Sequence, residues 1–366
     1  MSDKIKGSVF LYCFGIKDVL SSSSNVAGIQ VQMSFWAKTF VKQGWDVYTF
    51  TDKQTRDIDG IHFIKSYKSK LLHRLHLQLV QDLMACIRCV RTKPDIVIHR
   101  GASRSLYFLS KLCRRKHIKL IMFGASDVNF VPGKGRVAGS THNTELYQKA
   151  LSRIAYFVTQ NNEQQVALLK YYGKSSLVLP NIWLQNDVAE QISEKHYDAI
   201  WISNLRPLKR AEWFVSLAKE CLQYQFAIVG GPSKIEYYNQ IEQSASDVKN
   251  LSFLGPKSFI EVNALLSQSR ILVCTSEFEG FPNTFLQAWA HNVPVISTVN
   301  PSHIITEYSL GYCVSDVSEL KAKFIEMVND DAEYKRMQSN VVKYFSEAHS
   351  AEIAYTKLMK YLSALR

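Results

Sequence analysis

Glu279 and Gln287 stand eight positions apart in EGFPNTFLQ, where a Gly-aromatic-Pro turn opens into an apolar helix. An acid at such a turn can hold hydroxyls. The backbone N–H groups around Gly280, Phe281, Asn283 and Thr284 can meet a phosphate oxygen, helped by a helix dipole worth about 0.3–1 kcal/mol. Pro282 suits the first helical turn, where its missing N–H is not needed. Leu286, Trp289, Ala290 and Val293 keep core spacing, while Asn283, Gln287 and His291 fall on another stripe. Taken alone, the motif reads equally well as a helix start whose Glu merely caps. A second cluster, NLRPLKR, places Arg206, Lys209 and Arg210 in one strand-to-helix loop. Three cations there suit a diphosphate, each charged hydrogen bond being worth about 1.5–3 kcal/mol; a solvated basic loop is the plainer alternative. FAIVGGP then sets Gly230 and Gly231 after the next strand, where backbone must turn tightly or approach a ligand.

The elements that position these loops are legible as apolar runs. Seven strand candidates occupy the first half (8–13, 46–50, 61–65, 95–99, 119–123, 156–159, 176–179) and six the second (199–203, 226–230, 251–255, 271–275, 294–297, 311–314). The main helices of the first half start near Ile29, Leu71, Arg104 and Asn161. Strands apolar on both faces and separated by helices imply parallel sheets covered on both sides. Thirteen are too many for one ordinary sheet, so the expectation is α/β with two doubly wound, Rossmann-like domains facing a cleft. The expected bounds are a first domain over 1–180, a linker over 181–197, a second domain over 198–345, and a C-terminal helix over 346–366 that returns to the first domain. Ligands in such sheets sit beyond the carboxyl ends of the strands.

Several familiar patterns fail. GKGRVAG (133–139) misplaces its third glycine for a dinucleotide loop and follows Pro132, not a strand. GKS (173–175) lacks a phosphate-loop glycine at position 168, which is Leu. DID (57–59) lies in a connection between early strands and reads as a solvated turn. Cys86 and Cys89 form a lone CxxC, better read as buried thiols than as metal ligands. Seven scattered cysteines, no secretory leader and no long apolar run suggest a cytoplasmic setting. The net charge of +12 is uneven: residues 1–180 carry 27 Lys and Arg against 11 Asp and Glu, and residues 181–366 carry 17 against 21. The basic half calls for an anionic partner. No recognised nucleic-acid module is present, so a nucleic-acid partner is not expected.

EGFPNTFLQAWA followed by PVIS resembles the signature of retaining family-4 glycosyltransferases, which have the two-domain GT-B fold. NVAGIQVQMSFWAKTFVKQGWDVYTFT, YFVTQNNEQ, LPNI, NLRPLKR and AIVGGP are similar to other parts of that family, so the resemblance covers nearly the whole chain. It implies transfer of a sugar from a nucleotide-diphosphate sugar to an acceptor hydroxyl, with retention and without a metal or other cofactor. By position, Glu279 resembles the first acid of the E-x7-E motif, beside the transferred sugar. Gln287 takes the second acid's place, at the ribose. Arg206 and Lys209 look like the pair that clamps the diphosphate, with Arg210 as an alternative to Lys209. Gly280, Phe281 and Pro282 would shape the sugar-phosphate turn, LSFLGPKS (251–258) would border the base, and Gly28 resembles the glycine of a closing loop near sugar and acceptor.

The chain departs from that pattern in four places. The second acid is an amide, the spacing of Arg and Lys is short, and Asn292 stands where a glycine is common. The first-domain histidine is missing from FGASD, which leaves Ser126 or Asp127 to serve there. Asn292 is expected to take the left-handed conformation of a helix end.

The expected acceptor is a saccharide or a lipid-linked saccharide, in surface polysaccharide or glycolipid assembly. Leu72, Leu75, Leu79 and Leu83 lie along one face of a helix whose start is basic (Lys68, Lys70, His73, Arg74, His76), and RRKH (114–117) adds a second basic knot. Core packing with a solvated end explains this; so does peripheral contact with an anionic inner membrane surface. The rival activities are a nucleotide-sugar epimerase and a non-catalytic nucleotide-sugar-binding protein of the same architecture.

Overall fold

The computed structural model describes residues 6–21, 28–52, 55–66, 78–134, 141–184 and 195–364. All thirteen expected strands are present: β1 (Ser8–Phe14), β2 (Asp46–Thr51), β3 (Ile61–Lys65), β4 (Ile96–Arg100), β5 (Lys119–Phe123), β6 (Tyr156–Thr159), β7 (Leu177–Val178), β8 (Tyr197–Ile202), β9 (Phe226–Val229), β10 (Leu251–Phe253), β11 (Ser269–Cys274), β12 (Val295–Ser297) and β13 (Gly311–Cys313). They form two parallel sheets, in the orders β3-β2-β1-β4-β5-β6-β7 and β10-β9-β8-β11-β12-β13. In each, the order reverses direction beside the first strand, as double winding requires. The physical cause is composition: β1 buries Val9 to Cys13 on both faces, and β9 buries all four of its residues. Such strands need helices on either side.

The chain divides into two compact units. One holds the described residues up to Trp183 together with those from Ala351 onward; the other holds Leu184–Ser350. The boundary expected at residue 180 therefore moves to 183. Ile182 is tied into the first unit by the Gln32 amide, which donates to its carbonyl at 3.1 Å and accepts from its N–H at 2.9 Å. Trp183 packs edge-on against Phe35. Most of the expected linker, residues 185–194, lies outside the described residues. The helix expected from 346 is also redrawn. Asp331–Ala348 is one helix of the second unit, and a new helix, Ala351–Ala364, packs on the first. Tyr355 OH accepts from Trp45 Nε1 at 2.8 Å, and Leu362 O accepts from Lys119 Nζ at 3.2 Å.

Helix Gln78–Arg91 corrects another expectation. It buries Ala85, Cys86, Cys89 and Val90, whereas Leu79 is exposed and Leu83 only half-buried. Small residues let this helix lie close on helix Ser105–Arg115, which buries Leu106, Leu109 and Cys113 in the same core. Leu72, Leu75 and the basic residues 68–76 lie outside the described residues. The CxxC thiols are core groups: burial pushes Cys86 up to about 12 and Cys89 well above its ordinary value. DID is a turn, with Asp57 on His62 Nδ1 at 2.7 Å and Asp59 and Gly60 both at positive φ. Among the described residues, no helix is long and apolar enough to cross a membrane.

Candidate active site

The second unit's site begins where β8 and β9 end. An added Cβ on Gly230 would sit 1.8 Å from the Ser203 carbonyl oxygen, so only glycine lets these two loops touch. The contact continues as Leu205 N–H donates to Gly231 O at 2.9 Å. From that anchor the chain makes a short 3-10 turn, Pro207–Lys209, then starts helix Ala211–Glu220 through Arg210 at φ 49. Arg206 precedes the turn, exposed, with no side-chain hydrogen bond or ion pair to the described residues. Lys209 is folded inward.

The inward Lys209 meets Glu279. Nζ forms an ion pair with Glu279 Oε1, the two side chains being 8% and 22% exposed. The same carboxylate oxygen accepts from Ser276 Oγ at 3.0 Å. Thr275 joins the two loops from below: its hydroxyl lies 2.7 Å and 2.9 Å from the carbonyls of Lys209 and Arg210 and accepts from Trp201 Nε1 at 2.9 Å. A second tie is the Glu277 N–H on Leu208 O. Arg210 is committed elsewhere. Its guanidinium donates to Thr275 O at 2.7 Å and Ser276 O at 3.1 Å and lies over the Trp213 ring. It therefore braces the loop, and Lys209 is the cation presented to Glu279.

The EGFPN turn follows the β11 edge. Pro282 is the residue before helix Asn283–Ala290, one position earlier than expected, with φ −64 and an extended ψ of 120. It offers no side-chain oxygen to the helix start, a place with N–H groups to satisfy. Phe281 is buried, its ring against Trp289 and His349, so it wedges the turn onto the core. Gly280, Asn283 and Thr284 are half-buried. Leu286, Trp289, Ala290 and Val293 are buried as the spacing required, and so are Phe285, Gln287 and His291. Gln287 Nε2 lies 3.4 Å from Asn263 Oδ1 on helix Phe259–Ser267. His291 is buried, with neither ring nitrogen hydrogen-bonded among the described residues. Burial, with Lys195 nearby, pushes its imidazole down to about 4. Asn292 takes φ 58, the left-handed helix end expected of it.

In the first unit, Gly28 opens helix Gly28–Lys42 and is exposed. Ser126 precedes a 3-10 turn, Asp127–Phe130, beyond the carboxyl end of β5. Asp127 Oδ1 accepts from Asn161 Nδ2 at 2.8 Å and Gln164 Nε2 at 3.1 Å. An added Cβ on Gly124 would fall 2.3 Å from Gln164 Oε1 and displace that buried amide. Sequence reasoning missed Arg100 at the β4 carboxyl end. Its guanidinium donates to Asn181 Oδ1 at 2.5 Å, which also accepts from Gln160 Nε2. Burial lowers Arg100 to about 10 and neighbouring His99 to about 4. Also missed were Thr275 and Ser276. Their signal was only proximity to Glu279 in CTSEFEG, because the partners of the Thr275 hydroxyl lie some seventy positions upstream.

Residues 196–330 match the sequence profile of the family described as glycosyl transferases group 1. An uncharacterized glycosyltransferase of Methanocaldococcus jannaschii is 24% identical over 208 residues, which span 54% of this chain and 58% of that protein. Among solved structures, sucrose-phosphate synthase from Thermosynechococcus elongatus superposes with a TM-score of 0.78 at 12% identity, covering 99% of this chain and 100% of that one. The pneumococcal O-GlcNAc transferase GtfA, in complex with UDP and GlcNAc, gives 0.69 at 11% identity over 98% and 99% of the two chains. The chain thus has the GT-B fold.

Proposed function

We propose that the chain is a glycosyltransferase that passes a sugar from a nucleoside-diphosphate sugar to an acceptor hydroxyl, with retention of anomeric configuration. The observation that carries this is the Lys209–Glu279–Ser276 cluster, which joins two strand-to-helix loops at the carboxyl edge of the second sheet. It lies inside the segment that matches the glycosyltransferase profile. As the bond from the sugar's anomeric carbon to the diphosphate oxygen breaks, negative charge grows on the departing group. The acceptor oxygen takes over the anomeric carbon, and its proton leaves with the diphosphate. Preorganised cations at the leaving oxygen are the principal need of such a step. Lys209 Nζ has three protons, gives one to Glu279, and keeps two for phosphate oxygens. Exposed Arg206 supplies the second cation, and on this reading no resident metal is required. Glu279 holds sugar hydroxyls while fixing Lys209. Gln287 meets the ribose, and Gly28, Ser126 and Asp127 serve the acceptor. A saccharide or lipid-linked saccharide in surface polysaccharide or glycolipid assembly, met at an anionic membrane surface, fits the basic first half.

The test offers the full chain uridine, guanosine and adenosine diphosphate sugars separately. Uridine donors come first because the pneumococcal neighbour holds UDP. Nucleoside diphosphate release, product sugar and nucleotide affinity are measured. One donor is expected to turn over, and Glu279→Gln to lower turnover by about a hundredfold or more with nucleotide affinity not reduced. Release-free epimerisation, or binding without turnover, would instead establish one of the two rival activities.

A further inference from the structure

The first unit has a second concave feature, at the amino-terminal edge of its sheet. A cavity of about 850 Å³ lies beneath the starts of β1, β4 and β5 and is walled on one side by the C-terminal helix. Its size falls within the rough 300–1,000 Å³ span of small-molecule sites. The five-residue strand β4 separates it from the edge bearing Arg100, roughly 16 Å away at about 3.3 Å per residue, so it is distinct from the site already described.

Its lining is strongly cationic. Lys6, Arg91, Lys93, Lys116 and Lys119 all border it, against one carboxylate, Asp95. Asp95 Oδ2 is already engaged, accepting from the Ser8 N–H at 2.8 Å and from Ser8 Oγ at 3.1 Å. Lys119 donates to Leu362 O. The other four cations have no ion pair among the described residues, and all four are exposed.

The bland explanation is that these cations offset helix dipoles. Helices Gln78–Arg91, Ser105–Arg115 and Ala351–Ala364 all end here, each contributing roughly half a negative charge. Three such ends and Asp95 amount to about −2.5 against five cations, leaving a surplus of roughly two to three positive charges facing one hollow. Two of the lining residues, Lys93 and His117, also hold left-handed φ of 52 and 55 just after a helix end, where glycine is favoured. The offset accounts for part of the charge but not for its convergence.

We propose that this cavity is a second anion site, separate from the sugar-transfer site, and that it takes a ligand bearing two or more phosphate charges. Lys93 and Lys116 hold it from the turns before β4 and β5, and Arg91 adds a planar fork suited to phosphate oxygens. The same chemistry is offered by a free phosphorylated molecule and by a phosphorylated lipid headgroup.

The experiment follows amide hydrogen exchange in the full chain with sodium pyrophosphate, and separately with cardiolipin vesicles, whose headgroup carries two phosphate charges. Wild type is compared with Lys93→Glu/Lys116→Glu, and Arg91→Gln serves as a milder variant. Pyrophosphate should slow exchange over 91–95, 115–119 and the C-terminal helix, and the double variant should need about tenfold more of it. Protection over 206–210 and 279–284 reports the other site and should not change between the two proteins. Protection of the cavity segments by vesicles alone, lost in the double variant, identifies a headgroup as the source. Absence of protection by either probe, or protection unchanged in both charge variants, overturns the proposal.

Discussion

Glu279→Gln and Lys209→Met break one ion pair from opposite ends, and the structure predicts unequal consequences. Lys209 is 8% exposed, Glu279 22%. Glu279→Gln strands an ammonium that water scarcely reaches; removing one partner of a buried pair destabilises by about 3–5 kcal/mol. Lys209→Met strands a carboxylate that is partly wet and still accepts from Ser276 Oγ at 3.0 Å. Its loss should be nearer 1–2 kcal/mol. Replacing both partners leaves no orphaned charge, so the double variant should lie within about 1 kcal/mol of wild type. The resulting coupling is about 3–7 kcal/mol, at or beyond the top of the usual range for contacting residues. Urea unfolding of the four proteins, followed by tryptophan fluorescence, measures it. Nucleotide supplies a second readout. A bound diphosphate gives Lys209 the anion that Glu279→Gln removed, so saturating nucleoside diphosphate should stabilise that variant more than wild type. If the two single variants are equally unstable, or their effects simply add, the pair is not the buried couple described. If nucleotide gives Glu279→Gln no extra stability, Lys209 does not meet the diphosphate.

Two further outcomes follow from the same loops. The buried imidazole of His291 is lowered to about 4, while an unfolded histidine protonates near pH 6.5. The unfolded chain therefore binds more protons between those values, and stability falls as pH drops through them, by about 2 kcal/mol at pH 5 from this residue. His291→Leu should flatten that acid limb in urea titrations, and an unchanged limb would refute the assignment. Gly230→Ala should destabilise by about 3 kcal/mol, the upper end for overpacking, because its Cβ would meet Ser203 O at 1.8 Å. Gly231→Ala, whose Cβ would meet only Pro256 Cβ at 3.3 Å, should be nearly neutral; equal urea midpoints for the two would show that the loop contact is not as described.

What the sequence determined by itself was local. Apolar runs between helices were enough to place all thirteen strands, since a strand buried on both faces leaves no polar alternation to misread. Asn292 could be assigned its left-handed turn because the helix end before PVIS demands one and Asn tolerates it. Glu279, Lys209 and Arg206 could be named as candidates for the chemistry. Their relations could not. Lys209 and Glu279 are seventy positions apart, and only the parallel pairing of β8 with β11 brings their loops together. Arg210 stood as the alternative to Lys209, and the carbonyls of Thr275 and Ser276 claim its guanidinium. The Leu79 face lost to Ala85 and Cys89 because the partner helix, not the helix's own periodicity, decides which side is covered. The cationic hollow was the least legible: its residues come from segments near 6, 91–95, 116–119 and 359–363. Spacing along the chain fixes which way a side chain leaves its element. The neighbour it meets is set by sheet order and helix return, and those are properties of the assembled fold.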